Sequence, residues 1–307
     1  MNYLQRLLIY NSMYVIGFII MLILNISKHN TYRISRARGV IYSIITFVYG
    51  YLGAMLIGDL YNAVASLKGI ETEVRVDMIG AVVFMLLWIP TVYIEKKFIK
   101  IKNRKKKTES PGQAEISPVS FRDTLDFIAP GAFLVLACIK FGCCFMGCCY
   151  GIECDWGVYS WVKHTKLFPV QIFEFISICV ILVIAYYIKQ TKFFRRGMAG
   201  PLTAGMYIFT RFCWEFLRYN TPELQHFFLG MTIWQIMCVI VFIIVFVWVT
   251  VLYITQPSQP MPKGYLFAKN EAKKVNNAGK KASASKSNKK NDKTKSGKKN
   301  SAARKRS

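Results

Sequence analysis

Long apolar stretches alternate with short polar ones along most of the chain. Runs dominated by Ile, Leu, Val, Phe and Met lie near residues 9–26, 40–60, 76–94, 127–147, 170–188, 199–218 and 229–254. Each has roughly 18 to 25 residues, the length at which an α-helix crosses the hydrocarbon core of a bilayer. The pattern predicts an all-α membrane protein with about seven transmembrane helices. The first run, "NYLQRLLIYNSMYVIGFIIMLILNI", keeps large residues throughout and lacks a strongly basic lead, so it reads as a membrane anchor and not as a cleaved leader. Two polar segments fall outside the helical pattern. Residues 103–120, "NRKKKTESPGQAEISPVS", form a linker, and residues 256–307 end in a Lys/Ser/Asn/Ala tail without the apolar content to build a core. Both are expected to be disordered and cytoplasmic, leaving residues 1–255 as a single membrane domain.

Composition agrees with this segregation. The 307 residues are 53% hydrophobic yet carry a formal net charge of +25, which excludes an ordinary soluble globular domain. The basic residues are unevenly placed. Lys28, Arg33, Arg36 and Arg38, the run "EKKFIKIKNRKKK", the group Lys189, Lys192, Arg195 and Arg196, and the tail hold most of the 41 lysines and arginines, all in alternate connections. The intervening loops hold Lys68, Arg75, Lys163 and Lys166 against a larger number of carboxylates. Positive charge marks the cytoplasmic face, so the N-terminus is expected outside and the C-terminus in the cytoplasm. The lysine-rich tail has no interleaved aromatics, which favours anionic lipid over nucleic acid as its partner.

Ionisable residues inside predicted spans are costly in lipid and therefore informative. Lys140 falls in the fourth span, Glu174 near the start of the fifth, and Arg211 with Glu215 in the sixth. In "YIFTRFCWEFLRYN" the spacing places Tyr207, Arg211, Glu215 and Arg218 on one helix face. A deep arginine beside a lysine suits a phosphate, which a planar guanidinium grips with a fork of donors.

The run "LDFIAPGAFLVLACIKFGCCFMGCCYG", then "FPVQIFE", then "GPLTAGMYIFTRFCWEFLRYN" with "GMTIWQ" behind it, resembles the bacterial prolipoprotein diacylglyceryl transferases. Those are seven-helix membrane enzymes. Their fourth helix carries G-R-x-G-N-F-x-N-G-E, their fifth begins H-P-S-Q-x-Y-E, and their sixth carries Y-x-x-x-R-F-x-x-E-x-x-R. The resemblance covers roughly residues 40–250 and is strongest over 123–235. It implies a reaction in the bacterial plasma membrane, in which the diacylglyceryl group of phosphatidylglycerol moves to the lipobox cysteine of a preprolipoprotein signal peptide. It also implies residues: Arg211, Glu215, Tyr207 and Glu174 as catalytic groups, and Lys140, Arg211 and Arg218 around the phosphate. No cofactor is implied, and the chain is expected to act as a monomer.

The chain departs from the family pattern in its acid/base positions. Lys140 replaces the fourth-helix Arg, Cys143 and Met146 replace its two Asn, and Cys148 replaces its Glu. Phe168 stands for the fifth-helix His, Met55 for a second-span Arg, and "VDMIGAVV" lacks the third-span His-Gly-Gly. A relative with altered or absent chemistry that binds anionic lipid, or that acts on another acceptor, is the alternative. His164 and His226 are the candidates for a replacement base.

"GCCFMGCCYGIEC" concentrates five of the nine cysteines. Close packing around Gly142 and Gly147, with Cys143 and Cys144 as small apolar residues, is one reading. An outer disulfide, with Cys149 to Cys154 as an example, is a second, and a reactive thiol at Cys148 beside Lys140 a third. The spacing lacks the separated C-x2-C pairs of a zinc site, so no metal is expected from it.

Overall fold

The structure is a computed structural model, which describes residues 2–28, 32, 34–67, 87–109, 119–160, 163–219 and 230–261. Seven helices occur among them: α1 (Tyr3–Ser27), α2 (Arg36–Leu67), α3 (Trp88–Glu109), α4 (Phe121–Met146), α5 (Val170–Ile188), α6 (Ala199–Glu215) and α7 (Ile233–Thr255). Five are long and apolar enough to cross a membrane, namely α1, the Arg36–Leu60 part of α2, α4, α5 and most of α7. Of the third predicted span, residues 76–86 lie outside the described residues. α3 runs on to Glu109, so the segment read as a linker is helical over its first seven residues, and residues 110–118 lie outside the description.

Local chemistry sets the helix ends. α1 starts with a capping box in which the Asn2 N–H donates to Gln5 Oε1 at 3.0 Å. α7 starts with another, in which Gln235 N–H donates to Thr232 Oγ1 at 3.2 Å and Thr232 N–H donates to Gln235 Oε1 at 2.9 Å. α4 stops at Gly147, whose φ of 77° lets its N–H reach back to the Cys143 carbonyl at 3.0 Å. Gly147 is thus a helix terminator, and the close packing expected there belongs to other glycines.

α4 is the central element. Half of its apolar stretch is buried, against 6% for α7 at the periphery. α1, α2 and α3 pack on α4 from one direction, α5 and α6 from another, and α7 covers α6. The α1–α4 seam is lined by small residues on both sides. A Cβ on Gly131 would lie 2.6 Å from Met21 Cγ, and one on Gly17 would lie 3.0 Å from the Val135 backbone. At Gly142, Met13 and Tyr10 close in to 3.2 Å. Backbones approach closely wherever the side chain is missing, which is how apolar helices gain contact in lipid.

Between α4 and α5 the chain forms an antiparallel hairpin, β1 (Glu153–Ser160) and β2 (Thr165–Leu167), in register Tyr159↔Lys166 and Ser160↔Thr165. The apolar pattern gave no sign of it, because a two-stranded ribbon of polar residues carries no helical period. The start of the expected disordered tail is also ordered. Gln259 N–H donates to the Phe194 carbonyl and Met261 N–H to the Lys189 carbonyl, at 3.1 and 2.8 Å, docking residues 256–261 on the α5–α6 connection. Residues 262–307 lie outside the description.

That connection also carries buried charge. Asp126 on α4 is fully buried and accepts the Gly197 and Ala199 N–H groups at 2.7 and 2.8 Å, capping α6 from another helix. Lys28 is fully buried, donates to the Phe127 carbonyl at 2.8 Å and sits over the Phe127 ring. Lys189 is 2% exposed. Both lysines, counted from the sequence among the basic residues of the cytoplasmic connections, are buried. Burial pushes the Lys28 ammonium well below its ordinary range, and pushes Lys189 down to about 8 against the pull of Asp126.

Asp126→Ala strands two buried amides and deprives the lysines of their carboxylate, at a cost of about 3 kcal/mol, read as a lowered thermal unfolding midpoint in detergent. Asp126→Asn, which retains an acceptor, loses less. The folded-state value of Lys189 lies below the unfolded value of about 10.4, so the unfolded chain binds more protons between them. Stability should therefore rise with pH from about 8 towards 10, and Lys189→Met should flatten that rise.

Candidate functional site

The ionisable residues singled out in three separate spans meet at one place. Lys140 Nζ on α4 lies 2.6 Å from Glu174 Oε2 on α5. Arg211 Nη1 on α6 lies 3.1 Å from Glu174 Oε1 and 2.7 Å from Glu215 Oε2 one turn further along. Arg218, just past α6, reaches the same Glu215 oxygen at 3.6 Å. Lys140, Glu174, Arg211, Glu215 and Arg218 thus form one continuous chain of ion pairs. It holds three cations against two carboxylates, an excess of one positive charge.

Exposure divides the cluster. The side chains of Glu174 and Glu215 are 0% and 1% exposed, whereas Arg211 and Arg218 retain 14% and 15%. The carboxylates therefore sit behind the guanidiniums. Both carboxylates approach Arg211 at Nη1. Tyr207, 7% exposed, packs edge-on to Phe133 at 5.8 Å and interacts electrostatically with Lys140 and Glu174. A fixed positive fork backed by buried carboxylates can bind a phosphate and stabilise negative charge that develops on it.

The loop after α4 is pinned to this cluster by the backbone. Gly151 N–H donates to the Phe168 carbonyl at 2.9 Å, Ile152 N–H to Leu217 at 3.0 Å, and Tyr219 N–H to Tyr150 at 3.0 Å. A Cβ on Gly151 would lie 2.6 Å from the Leu217 carbonyl oxygen and 2.7 Å from Phe168, so only glycine lets the three segments meet. Gln171, 3% exposed, donates through Nε2 to the Cys148 carbonyl at 2.5 Å. Neither Gly151 nor Gln171 was singled out from the sequence, although the Gln of "FPVQIFE" stands at a family motif position and so gave a signal. The junction at Gly151 joins residues far apart in the chain and gave none.

The cysteines are redistributed relative to expectation. All nine are free thiols. Cys149 does not pair with Cys154; its φ of 63° turns the chain so that its Sγ and those of Cys143 and Cys148 lie within 4.8 Å of one another. Cys154 stands apart on β1. Cys144 donates to the Lys140 carbonyl four residues back, at 3.6 Å, and acts as a packing residue. Hydrogen bonds with Cys143 and Cys148, then the neighbouring Arg218 and Lys140, pull the Cys149 thiol well below its ordinary value against the effect of burial. Cys148 shares a bond with Cys143 that lowers it, but Cys149 and burial hold it up at about 12.

Phe168 is no latent polar site. It is 8% exposed and stacks on Phe173 at 5.0 Å, with Trp156 edge-on at 5.2 Å. His164 lies in the exposed hairpin turn, and His226 falls outside the described residues.

Residues 113–251 match the family described as prolipoprotein diacylglyceryl transferase, so this segment of the chain carries a domain of that family. Members of that family are membrane transferases of the diacylglyceryl type, in keeping with the apolar helices here. No curated protein matches the chain. The matched segment contains all five ion-paired residues, the cysteine trio and the Gly151 junction.

Replacing Glu174 by Gln leaves Lys140 and Arg211 without their shared carboxylate and should cost about 3 kcal/mol, measured as the unfolding midpoint in detergent. In a double-mutant cycle of Lys140→Met with Glu174→Met the two losses should be non-additive by more than about 1 kcal/mol. Additive losses would mean that the 2.6 Å contact carries no coupling.

Proposed function

We propose that this membrane protein transfers the diacylglyceryl group of phosphatidylglycerol to the lipobox cysteine thiol of preprolipoproteins. The observation that carries the reading is the ion-pair chain joining Lys140, Glu174, Arg211, Glu215 and Arg218 inside a domain of that transferase family.

In this reading the acceptor thiolate attacks the glyceryl carbon that bears the phosphate. The S–C bond forms, the C–O bond breaks with its electron pair leaving on the phosphate oxygen, and glycerol phosphate departs. Arg211 and Lys140 hold the phosphate, with Arg218 beside them, and the excess positive charge of the cluster matches the single negative charge of a phosphodiester. Glu174 and Glu215 fix the guanidiniums so that little reorganisation is needed when charge develops. Tyr207 donates a hydrogen bond to a phosphate or leaving oxygen.

The family resemblance suggests the bacterial plasma membrane, the apolar runs suggest seven spans, and the charge pattern suggests an N-terminus outside, a C-terminus in the cytoplasm and a basic tail against anionic lipid. The site then faces the outer leaflet, where secreted preprolipoproteins arrive. A second reading, a relative that binds anionic lipid without this transfer, draws support from Phe168, which stands in an aromatic cluster where the family has a histidine.

The two readings separate in one assay. Purified protein in detergent is given phosphatidylglycerol with labelled acyl chains and a lipobox peptide, with Arg211→Ala in parallel. Label should appear on the peptide cysteine and fall by about a hundredfold or more in the variant. Lipid binding without label on the peptide, under conditions where an authentic family enzyme works, would establish the second reading.

A further inference from the structure

The three thiols of Cys143, Cys148 and Cys149 are left unused by the phosphate chemistry. Adjacent residues in extended chain point to opposite sides, yet Cys148 and Cys149 bring their sulfurs together because Cys149 adopts a left-handed backbone, uncommon for any residue but glycine. Such a conformation costs about 1 to 3 kcal/mol and persists where the surroundings hold it in place. Here they do. Gly147 ends α4 two residues earlier, Gln171 holds the Cys148 carbonyl at 2.5 Å, and Gly151 locks the following loop to the end of α6. Cys143 is 5% exposed. Simple close packing needs neither the strained turn nor the convergence of three sulfurs.

We propose that Cys143, Cys148 and Cys149 bind one zinc ion, whose open fourth position takes the thiol of the acceptor cysteine. Three thiolates about 2.3 Å from a tetrahedral ion stand about 3.8 Å apart, so sulfurs already within 4.8 Å close on the ion with small side-chain rotations. Among the described residues no fourth Cys, His, Asp or Glu joins the trio. Three protein ligands with a vacant position form a catalytic zinc arrangement, whereas structural sites fill all four. The charge also fits. A divalent ion with three thiolates carries one negative charge, and the Arg218 guanidinium and the Lys140 ammonium both act electrostatically on Cys149.

The inference rests on the transfer reading for its purpose, and it answers that reading's main chemical gap. Phe168 and "VDMIGAVV" stand where the resemblance places histidines that could take the proton of the acceptor thiol. A thiol that binds zinc gives up its proton to water; the bound thiolate then attacks the glyceryl carbon, and the product thioether, a neutral and weaker ligand, leaves the ion. No electron transfer is involved.

Cobalt(II) serves as the spectroscopic probe, added to reduced, chelator-stripped, full-length protein in detergent. One equivalent should bind with a thiolate-to-cobalt charge-transfer band, be displaced by zinc, and change its ligand-field spectrum when lipobox peptide is added. The band should be lost in Cys143→Ser and Cys148→Ser and kept in Cys179→Ser, with thermal unfolding used to show that each variant is folded. Absence of the band in folded wild-type protein, its survival in both trio variants, or a disulfide within the trio by mass spectrometry of the untreated protein would overturn the site. Diacylglyceryl transfer that survives metal removal and both Cys→Ser changes would overturn the catalytic role while leaving the transfer reading intact. A cobalt site that ignores the peptide, in protein that transfers no label, would sink the transfer reading and the acceptor role together and leave only metal binding.

Discussion

Charge that enters a low-dielectric interior must be compensated there, and the architecture around α4, α5 and α6 is organised by that constraint. Glu174 is shared by Lys140 from one side and Arg211 from the other, so one carboxylate joins three helices. Removing it would expose two cations to each other. Yet a buried ion pair rarely outperforms well-packed apolar residues of the same volume, because desolvation offsets much of the attraction. Five ionised groups in an apolar bundle are therefore poorly explained by stability. What they supply is an oriented field, and the partly exposed guanidiniums in front of buried carboxylates set its direction.

The buried charges at the α5–α6 connection make a useful contrast. Asp126 uses both oxygens on backbone N–H groups, and Lys28 gives its ammonium to a backbone carbonyl. Their partners are main-chain atoms, and Asp126 in this way supplies acceptors to N–H groups at the start of α6. In the α4–α6 cluster the partners are other side chains, and the guanidiniums of Arg211 and Arg218 stay partly exposed. Two buried charge groups in one chain thus do different work, and the identity of the partners distinguishes them better than the degree of burial.

Helix order and the candidate residues were legible in the sequence because both depend on local spacing. Tyr207, Arg211, Glu215 and Arg218 share a face by helical geometry alone, whereas the 2.6 Å contact between Lys140 and Glu174 depends on how α4 and α5 pack, which no local pattern encodes. The burial of Lys28 and Lys189 was not legible for the same reason: the rule that assigns positive charge to the cytoplasmic side says where a lysine starts, and not whether its long side chain turns back into the protein. The hairpin was invisible because the apolar period could not report it. The place of Cys149 beside Cys143 and Cys148 was not legible because a left-handed residue redirects its side chain, and a non-glycine position gives no warning of that.

The positions at which the matched segment departs from the family pattern are correlated in space. Positions where the family carries Asn and Glu here carry Cys143 and Cys148, and the structure places both beside Cys149 at the end of α4, next to Arg218. Random loss of polar groups would leave apolar residues scattered among intact neighbours, as Phe168 illustrates by joining an aromatic cluster of its own. Convergence of three sulfurs at a backbone turn that glycine would occupy more comfortably is different, since each of Gly147, Gly151 and Gln171 must be in place for it to form. The phosphate end of the site keeps its arginine and carboxylates while the other end exchanges oxygen and nitrogen chemistry for sulfur. A hard anion at one end and a soft nucleophile at the other are the two demands of the proposed transfer of a glyceryl group from phosphate to thiol, and in that proposal the change in residue type falls on the sulfur side.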